Sequence, residues 1–390
     1  MHFVIPHRAL KWMAVLLFGS GLAACGATTP PQPGSPASNA PAALAHPPRH
    51  VFVIVLENEP FQVTFGAHSP APYLAHELPK EGALLTQYFA IGHYSLDNYI
   101  AMISGQAPDH DTQRDCHIYA EFRRSAPGFD ANGQIRGNGC VYPADVKTLA
   151  NQLQDAGFTW KGYMEDMGAD PSREAAACGH VKIGEVDDTN HASVKDEYAD
   201  KHDPFVYFHS IIDDHANCAA HVVNLDALTR DLQTVATTPN FAYITPNLCH
   251  DGHDAPCKSG EPGGLVSADR FLREWVPRIT ASPAFRQDGV LIVTFDEGTD
   301  TEACCGETRP QGAPLPGVFG HGGGRVGAMV LSPFVKPGTV SNLPYNHYSL
   351  LRSVENWFGL PYLGYAGQQG LRALGTDVFN RDTTTQGTKP

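Results

Sequence analysis

The chain has 390 residues, of which 42% are hydrophobic and 17% are charged, and its formal net charge is -14. This length and apolar content suffice for a large buried core, and the low share of charged residues argues against a coiled coil. The negative charge argues against nucleic acid or an anionic membrane surface as a partner, because both attract basic surfaces. Nothing in the sequence predicts a protein partner.

The first 25 residues have the features of an export signal. Basic residues precede an apolar run over 13–18, and small residues then lead to Cys25. This arrangement predicts a bacterial lipoprotein signal peptide over residues 1–25, with Cys25 lipidated after cleavage. A plain secretory signal, and hence a secreted protein, is the alternative.

The composition divides the rest of the chain into three parts. Residues 26–49 are rich in Pro, Ala, Ser and Thr and predict a disordered linker. Residues 50–380 predict one folded domain, and residues 381–390 predict a polar tail. Gly26 rather than an aspartate follows the lipidated position, which favours a lipid anchor in the outer membrane, on its periplasmic or surface face.

The other eight cysteines would lie in an oxidising compartment, where their even number suits up to four disulfides. Cys249 and Cys257 bracket a short polar loop, so we predict that they pair. Adjacent Cys304 and Cys305 are expected to pair with different partners. A structural zinc site is the alternative, although no Cys-x-x-Cys pattern supports it.

Continuous apolar runs rich in β-branched residues predict four strands buried on both faces. They span residues 51–56, 241–244, 290–295 and 328–331. Between and after them, apolar residues at helical spacing predict helices over 146–157, 225–235, 272–279 and 346–359. The alternation predicts an α/β domain with a largely parallel central sheet flanked by helices. Less regular stretches, about 105–145 and 165–220, are expected to be loop insertions that shape a site.

A further helix is predicted over residues 95–104, where apolar residues recur at the spacing of a buried helix. Ser95 stands where an N-cap belongs, beside free backbone N–H groups and the positive end of the helix dipole. A phosphoryl oxygen would be stabilised there. Asn98 follows one turn later, so we interpret Ser95 as a nucleophile and Asn98 as its oxyanion partner. An ordinary capped core helix is the alternative.

Two predicted strands end in polar pairs that suit a metal ion. Glu57 and Asn58 follow the first strand, and Asp296 and Glu297 follow the third. The carboxyl ends of strands are where open α/β sheets form their sites. Adjacent acids at a buried sheet edge are unfavourable unless a cation or proton offsets them. We therefore predict a divalent metal bound by oxygen atoms. A polar turn and a solvated acidic loop are the alternatives.

Three loops add side chains that can bind phosphate or metal. They contribute His93, His250, Asp251, His253 and His321. His321 lies within a run of glycines, where backbone and imidazole can approach a ligand closely. His93 lies two residues before the predicted nucleophile, and it can orient the nucleophile, donate a proton or only cap a turn. Surface loops with incidental histidines are the alternative.

The order of these clusters resembles that of the alkaline phosphatase superfamily. More closely, the chain resembles the bacterial and fungal phosphoesterase family, which contains acid phosphatases and phosphatidylcholine-type phospholipases C. The residues that carry this resemblance are Glu57, Asn58, Phe61, Gly66, Ser95, Asn98, Asp296, Glu297 and the segment 345–350. The resemblance extends over roughly residues 50–362 and implies an alkaline-phosphatase-like sheet.

The resemblance also implies roles for individual residues. The metal would be bound by Glu57, Asn58, Ser95, Asp296 and Glu297. Catalysis would rest on Ser95, His253 and His321, and phosphoryl binding would involve Asn98, His93 and His250. A second metal would be bound by Asp251, His253 and His321, although the spacing of the two-metal pyrophosphatases is not kept and histidines can replace that ion. Zinc, calcium and magnesium are not distinguished.

Together these observations predict an exported, metal-dependent phosphoesterase. It would hydrolyse phosphate monoesters in the manner of an acid phosphatase, through a phosphoserine intermediate, at an optimum below neutral pH. A phospholipase C-type phosphodiesterase acting on a phospholipid is the alternative, and a non-catalytic lipoprotein binding module on the same fold is a second. No apolar stretch is left over for two acyl chains, which favours a small phosphate ester as substrate.

Overall fold

A computed structural model describes Leu44 and residues 46–381. The predicted signal peptide, the predicted lipidation site Cys25 and most of the predicted linker lie outside the described residues, as does nearly all of the predicted polar tail. Among the described helices, none is both long and apolar enough to cross a bilayer.

The described residues contain twelve strands and nine α-helices. The strands are β1 (His50–Leu56), β2 (Ala83–Leu85), β3 (Tyr88–Phe89), β4 (Arg123–Phe129), β5 (Ile135–Asn138), β6 (Trp160–Met164), β7 (Val222–Asn224), β8 (Phe241–Thr245), β9 (Gly289–Phe295), β10 (Ala328–Leu331), β11 (Thr339–Ser341) and β12 (Tyr345–Asn346). The helices are α1 (Phe61–Thr64), α2 (Ser95–Ser104), α3 (Leu149–Asp155), α4 (His209–Ile212), α5 (His215–His221), α6 (Asp226–Asp231), α7 (Gly264–Ala281), α8 (Pro283–Asp288) and α9 (His347–Phe358).

Eight strands form the central sheet, in the order β11-β2-β10-β9-β1-β8-β6-β7. Strand β1 lies in the middle, parallel to both β9 and β8. Strand β10 runs antiparallel to its two neighbours, β9 and β2. Every other pairing in this sheet is parallel. The predicted α/β domain with a largely parallel sheet is therefore confirmed.

The four long apolar runs form the inner strands β1, β8, β9 and β10, as predicted, and every residue in them is buried. The short strands β2, β6, β7 and β11 were not predicted. Strand β6 has the sequence Trp-Lys-Gly-Tyr-Met, which is not a continuous apolar run, and the other three are only three residues long. Runs this short carry no readable periodicity.

The helix predicted over 346–359 is confirmed at both ends. Asn346 caps α9 by accepting a hydrogen bond from the Ser349 N–H, and Gly359 ends it with a φ of 71°. The helix predicted over 225–235 is shorter, because α6 spans only Asp226–Asp231. Helix α3 begins after the Thr148 cap rather than at residue 146.

The predicted N-cap of α2 is wrong by one residue. Tyr94 occupies that position, and Ser95 is the first helical residue. All ten residues of α2 are buried, and Gly105 ends the helix in the left-handed conformation with a φ of 68°. The Ser95 hydroxyl is therefore free of a capping role and points elsewhere.

Four disulfides occur among the described residues. The predicted pair Cys249–Cys257 is confirmed. Cys116–Cys140 joins two loop segments, and Cys178–Cys218 joins a loop to helix α5. The expectation that Cys304 and Cys305 have different partners is wrong, since the two adjacent residues pair with each other. The other six cysteines among the described residues pair among themselves.

Candidate active site

The two polar pairs predicted from strand ends meet at one edge of the sheet. Strands β1 and β9 are parallel neighbours, and their last residues, Leu56 and Phe295, lie opposite each other. Glu57 and Asp296 therefore emerge side by side. The Asp296 N–H donates to the Leu56 carbonyl at 2.8 Å, which carries the parallel pairing into the site.

Short hydrogen bonds hold the two pairs together. The backbone N–H groups of Asn58 and Glu297 both donate to Asp296 Oδ1, at 2.9 and 2.6 Å. The Asn58 side-chain amide donates to Glu57 Oε2 at 2.8 Å. Asn58 has a φ of 61°, a left-handed conformation that asparagine tolerates better than most residues. The turn after β1 is thus shaped around the Asp296 carboxylate.

The carboxylates in this cluster are buried without enough hydrogen bonds. Glu57, Asp296 and Glu297 are 1%, 0% and 8% exposed. Each has one oxygen without a hydrogen-bond partner among the described residues: Glu57 Oε1, Asp296 Oδ2 and Glu297 Oε2. Burial and the neighbouring carboxylates raise the pKa of Asp296 and of Glu297 well above the usual range. Buried carboxylate oxygen atoms that lack a partner among the described residues are a suitable environment for a divalent cation.

Ser95 is in direct contact with this acidic cluster. Its hydroxyl donates to Glu57 Oε2 at 2.9 Å, and the residue is 3% exposed. The contact joins the start of α2 to the end of β1. The structure thus brings together the five residues predicted to bind a metal, Glu57, Asn58, Ser95, Asp296 and Glu297.

The start of α2 is not a free anion site. The Leu96 N–H donates to Asp115 Oδ1 at 3.0 Å, so an aspartate from a distant loop already occupies this helix end. The other oxygen of this carboxylate lies 3.3 Å from Lys201 Nζ. A negative charge at a helix N-terminus is stabilised by the helix dipole, and Lys201 balances it.

The Asn98 side chain is fully used by the backbone of the preceding loop. Its oxygen accepts from the N–H groups of Ile91 and Gly92, at 2.8 and 3.0 Å. Its amide group donates to the carbonyls of Gly92 and Tyr94, each at 3.0 Å. Asn98 is 0% exposed. In this structure it orders the loop that leads into Ser95, and a direct contact with substrate stays a prediction.

His202 was not predicted, yet it lies at the centre of the site. Its Nε2 is 3.1 Å from Glu57 Oε1, and its Nδ1 is 3.7 Å from Asp251 Oδ2. Burial and the adjacent Lys201 charge lower the pKa of His202 to about 3, which keeps the ring neutral. The donor atoms of Glu57, His202 and Asp251 are close enough to bind one ion together. Only its position in the insertion 165–220 pointed to the site.

The residues predicted for a second metal are arranged differently. Asp251 Oδ1 accepts the His253 N–H at 2.9 Å, while its other oxygen faces His202. His253 Nδ1 is 2.9 Å from Asp254 Oδ1, and half of its side chain is exposed. The Asp254 hydrogen bond raises the pKa of His253 above its usual value. Asp251 thus groups with His202 and Glu57 rather than with His253 and His321.

The remaining histidines line other parts of the surface. His93 Nε2 is 2.6 Å from the Asp300 carbonyl. His250 is 2.9 Å from Glu165 and borders a separate cavity of about 430 Å³. His321 is exposed and borders a larger cavity of about 670 Å³. None of the three contacts Ser95 within the hydrogen bonds and ion pairs of the described residues, so their roles stay predictions.

The larger cavity lies against the loop that Asn98 orders. Ile91, Leu315, Tyr348 and the Cys304–Cys305 disulfide contribute to its wall. Its lining includes the half-buried acid Glu307, which accepts a hydrogen bond from the Asn346 amide. Burial raises the pKa of Glu307 to about 7. The cavity is mainly apolar with a few polar groups, as small-molecule sites often are.

A second histidine that was not predicted supports the site from behind. His347, the first residue of α9, is 0% exposed, and its Nε2 is 2.6 Å from the Asp296 carbonyl. Its Nδ1 lies 3.2 Å from the Tyr88 hydroxyl. Burial lowers the pKa of His347 to about 4, so the ring is neutral at physiological pH. It fixes the backbone that presents Asp296.

A serine hydroxyl held against buried carboxylates, at the carboxyl edge of a parallel sheet, suits metal-assisted phosphoryl transfer. The chain belongs to the Phosphoesterase family, whose model matches residues 67–361. This confirms the resemblance found in the sequence. The match begins after Glu57 and Asn58, so that part of the site rests on the structure alone.

Several characterised proteins are similar to this chain. The phosphatidylinositol-3-phosphatase of Mycobacterium tuberculosis is 28% identical over 92% of this chain and 91% of its own length. The phosphate-repressible acid phosphatase of Penicillium chrysogenum is 28% identical over 74% of this chain. The acid phosphatase of Aspergillus fumigatus is 24% identical over 85% of it. The chain spans 55% and 59% of the length of these two fungal relatives.

Among solved structures, one that is similar to this chain is a protein from Vibrio parahaemolyticus that is described as a member of the alkaline phosphatase superfamily. It is 14% identical, covers 87% of this chain and 73% of its own, and has a TM-score of 0.48. The three relatives named above are all phosphatases by name, which is consistent with the family.

Proposed function

We propose that this protein hydrolyses phosphate monoesters with Ser95 as the nucleophile. The observation that carries the proposal is the 2.9 Å hydrogen bond from the Ser95 hydroxyl to Glu57, within a cluster of buried carboxylates. A hydroxyl is a weak nucleophile unless a base or a metal activates it. This cluster offers both a carboxylate acceptor and the donor atoms for an ion.

The residues present fit a divalent metal ion. Glu57, Asn58, Ser95, Asp296 and Glu297 would hold it, and the buried oxygens without partners on the three acids support this assignment. When bound, the ion would lower the pKa of the serine hydroxyl and offset negative charge on the phosphoryl group. His202 and Asp251 supply further donor atoms next to Glu57. Zinc, calcium and magnesium all remain candidates for the ion.

We propose the following reaction for these side chains. Ser95 Oγ gives its proton to Glu57 and attacks phosphorus, forming the Oγ–P bond as the bond to the leaving oxygen breaks. His253 donates a proton to the leaving alcohol, since its raised pKa favours the imidazolium form. Water then attacks the phosphoserine and gives a proton to the now neutral His253. The Oγ–P bond breaks, Ser95 Oγ takes back its proton from Glu57, and inorganic phosphate leaves.

A lipid phosphate monoester is a second candidate substrate. The Mycobacterium tuberculosis relative, named a phosphatidylinositol-3-phosphatase, matches this chain over almost the full length of both. The 670 Å³ cavity beside the Ser95 loop has an apolar wall that suits a bulky leaving group. This substrate would use the same monoester chemistry.

We also propose that the protein is exported and lipid-anchored through Cys25. Four disulfides suit an oxidising compartment. The anchor itself rests on the sequence pattern around Cys25.

A substrate panel tests the proposed activity. We expect p-nitrophenyl phosphate to be hydrolysed faster than p-nitrophenyl phosphorylcholine, with phosphatidylinositol 3-phosphate tested in mixed micelles. Acid quenching followed by mass spectrometry should detect phosphate on the peptide that contains Ser95. A clear preference for the phosphorylcholine diester would favour the phospholipase C alternative, and no turnover of any ester would favour a binding module.

A further inference from the structure

One cation is buried among the acids of the candidate site. The Lys201 side chain is 14% exposed, and its Nζ lies 3.3 Å from Asp115 Oδ2. Burial alone would lower the pKa of this ammonium, but the Asp115 and Glu57 carboxylates raise it above the usual value. Lys201 therefore forms a partly buried ion pair with Asp115.

Two paths of contacts link Lys201 to the nucleophile. On one side, Asp115 joins the lysine to the Leu96 N–H, in the residue directly after Ser95. On the other side, the adjacent His202 is 3.1 Å from Glu57, which accepts the Ser95 hydroxyl through its other oxygen. The Lys201 ammonium is thus linked to the start of α2 through Asp115, and the backbone of Lys201 is linked to Glu57 through the next residue, His202.

The lysine has unused capacity for hydrogen bonding. An ammonium group has three donors, and among the described residues Asp115 accepts the one hydrogen bond that Lys201 makes. Asp115 also places a carboxylate at the helix end where an anionic substrate would otherwise bind backbone N–H groups. A phosphoryl dianion approaching Ser95 therefore needs a cation beside that carboxylate.

Building on the proposed function, we propose that the Lys201 ammonium binds a non-bridging oxygen of the phosphoryl group at Ser95. Asp115 is then a positioning residue that orients the lysine without touching the substrate. Charge-assisted hydrogen bonds of this kind are the strong ones, and lysine binds phosphate as a compact point charge. The ligand class is a phosphate monoester dianion or inorganic phosphate, the product.

Binding of inorganic phosphate tests this proposal without requiring turnover. Isothermal titration calorimetry on the full-length, metal-loaded protein would compare wild type with Lys201→Met. We expect about ten- to hundredfold weaker phosphate binding, the range for a hydrogen bond to a charged group. Lys201→Arg should recover part of this loss. KM for p-nitrophenyl phosphate should rise together with the dissociation constant of phosphate.

Two further variants separate binding from folding. Lys201→Met leaves Asp115 without its partner, so Lys201→Met combined with Asp115→Asn removes both charges and guards against misfolding. Lys161→Met is the matched control, because Lys161 forms a comparable partly buried pair with Asp231 at 2.6 Å on β6. We expect this control to bind phosphate like wild type.

The outcomes are distinguishable. If the folded double variant binds phosphate as tightly as wild type while wild type hydrolyses monoesters, the Lys201 proposal is overturned and the proposed function stands. A second outcome is that the wild type hydrolyses no monoester but binds phosphate, and that Lys201→Met loses this binding. The anion site is then supported and the proposed function fails. An equal loss of binding in Lys161→Met would also overturn the proposal, since the effect would then be a general one.

Discussion

Removing divalent ions should destabilise this protein, and more so at higher pH. The reason is the group of carboxylates at the ends of β1 and β9, each with one buried oxygen that lacks a partner among the described residues. Burial and the neighbouring carboxylates raise the pKa of Asp296 and of Glu297, so the protonated forms of these two groups are favoured when no cation is bound. The folded, metal-depleted protein therefore binds more protons than the unfolded chain.

The sign of the pH dependence follows from linkage. Groups whose pKa is higher in the folded state stabilise it fully below their unfolded values, near pH 4, and this stability is lost as the pH rises through the folded values. An ion that replaces these protons removes the dependence. The difference in the free energy of unfolding between metal-loaded and metal-depleted protein should thus increase from pH 5 to pH 8.

The size of the effect can be worked out from the length of the domain. An ion present at about a thousand times its dissociation constant stabilises the folded state by about 4 kcal/mol. For the roughly 340 described residues, the entropy of unfolding is about 0.7 kcal/mol per degree. Depletion should therefore lower Tm by about 6 °C.

Differential scanning fluorimetry of chelator-dialysed and metal-restored protein at pH 5 and pH 8 measures both effects. Asp296→Asn combined with Glu297→Gln should abolish the difference between the two samples. Equal Tm values with and without metal, or a gap that is wider at pH 5, would refute the reasoning. So would active protein that retains no divalent ion after dialysis.

Three further predictions concern single side chains. Ser95→Ala should lower kcat by at least about a thousandfold with the fold intact, because the covalent step is lost. The control Ser104→Ala, on the same helix, should stay active, and comparable kcat values for the two variants would exclude Ser95 as the nucleophile. Asp254→Asn should lower the pKa of His253 and move the alkaline limb of the pH–kcat profile to lower pH, and an unmoved limb would remove His253 as the general acid. Cys25→Ser should shift the protein from the membrane fraction to the soluble fraction, and unchanged fractionation would count against lipidation.

The metal-binding side of the site could be predicted from the sequence because it depends on local rules. A long apolar run identifies a buried strand, and the polar residues that follow it lie at the carboxyl edge. Glu57 and Asp296 are adjacent because β1 and β9 are parallel neighbours in register. Ser95 was found through the helical spacing of the residues after it.

The cationic side could not be predicted, because loop insertions determine it. Lys201 and His202 lie in a stretch without clear periodicity, and their approach to Glu57 depends on the path of the whole insertion. The same holds for Asp115, whose arrival at the Leu96 N–H changed the expected character of the helix start. Cys304 and Cys305 show the same limit, since pairing depends on which loops meet.

The four hydrogen bonds of Asn98 order part of the site before any substrate binds. They fix the backbone of residues 91–94 in the free protein. The entropy cost of arranging this loop is therefore met during folding rather than when substrate binds, which is what preorganisation means for a catalyst. An aspartate at position 98 would keep the two acceptor contacts and lose the two donor contacts. Only an amide side chain makes both kinds of contact, so substitutions at position 98 would disorder the loop before Ser95. Substitutions meant to change substrate preference should therefore be made in the wall of the neighbouring cavity instead.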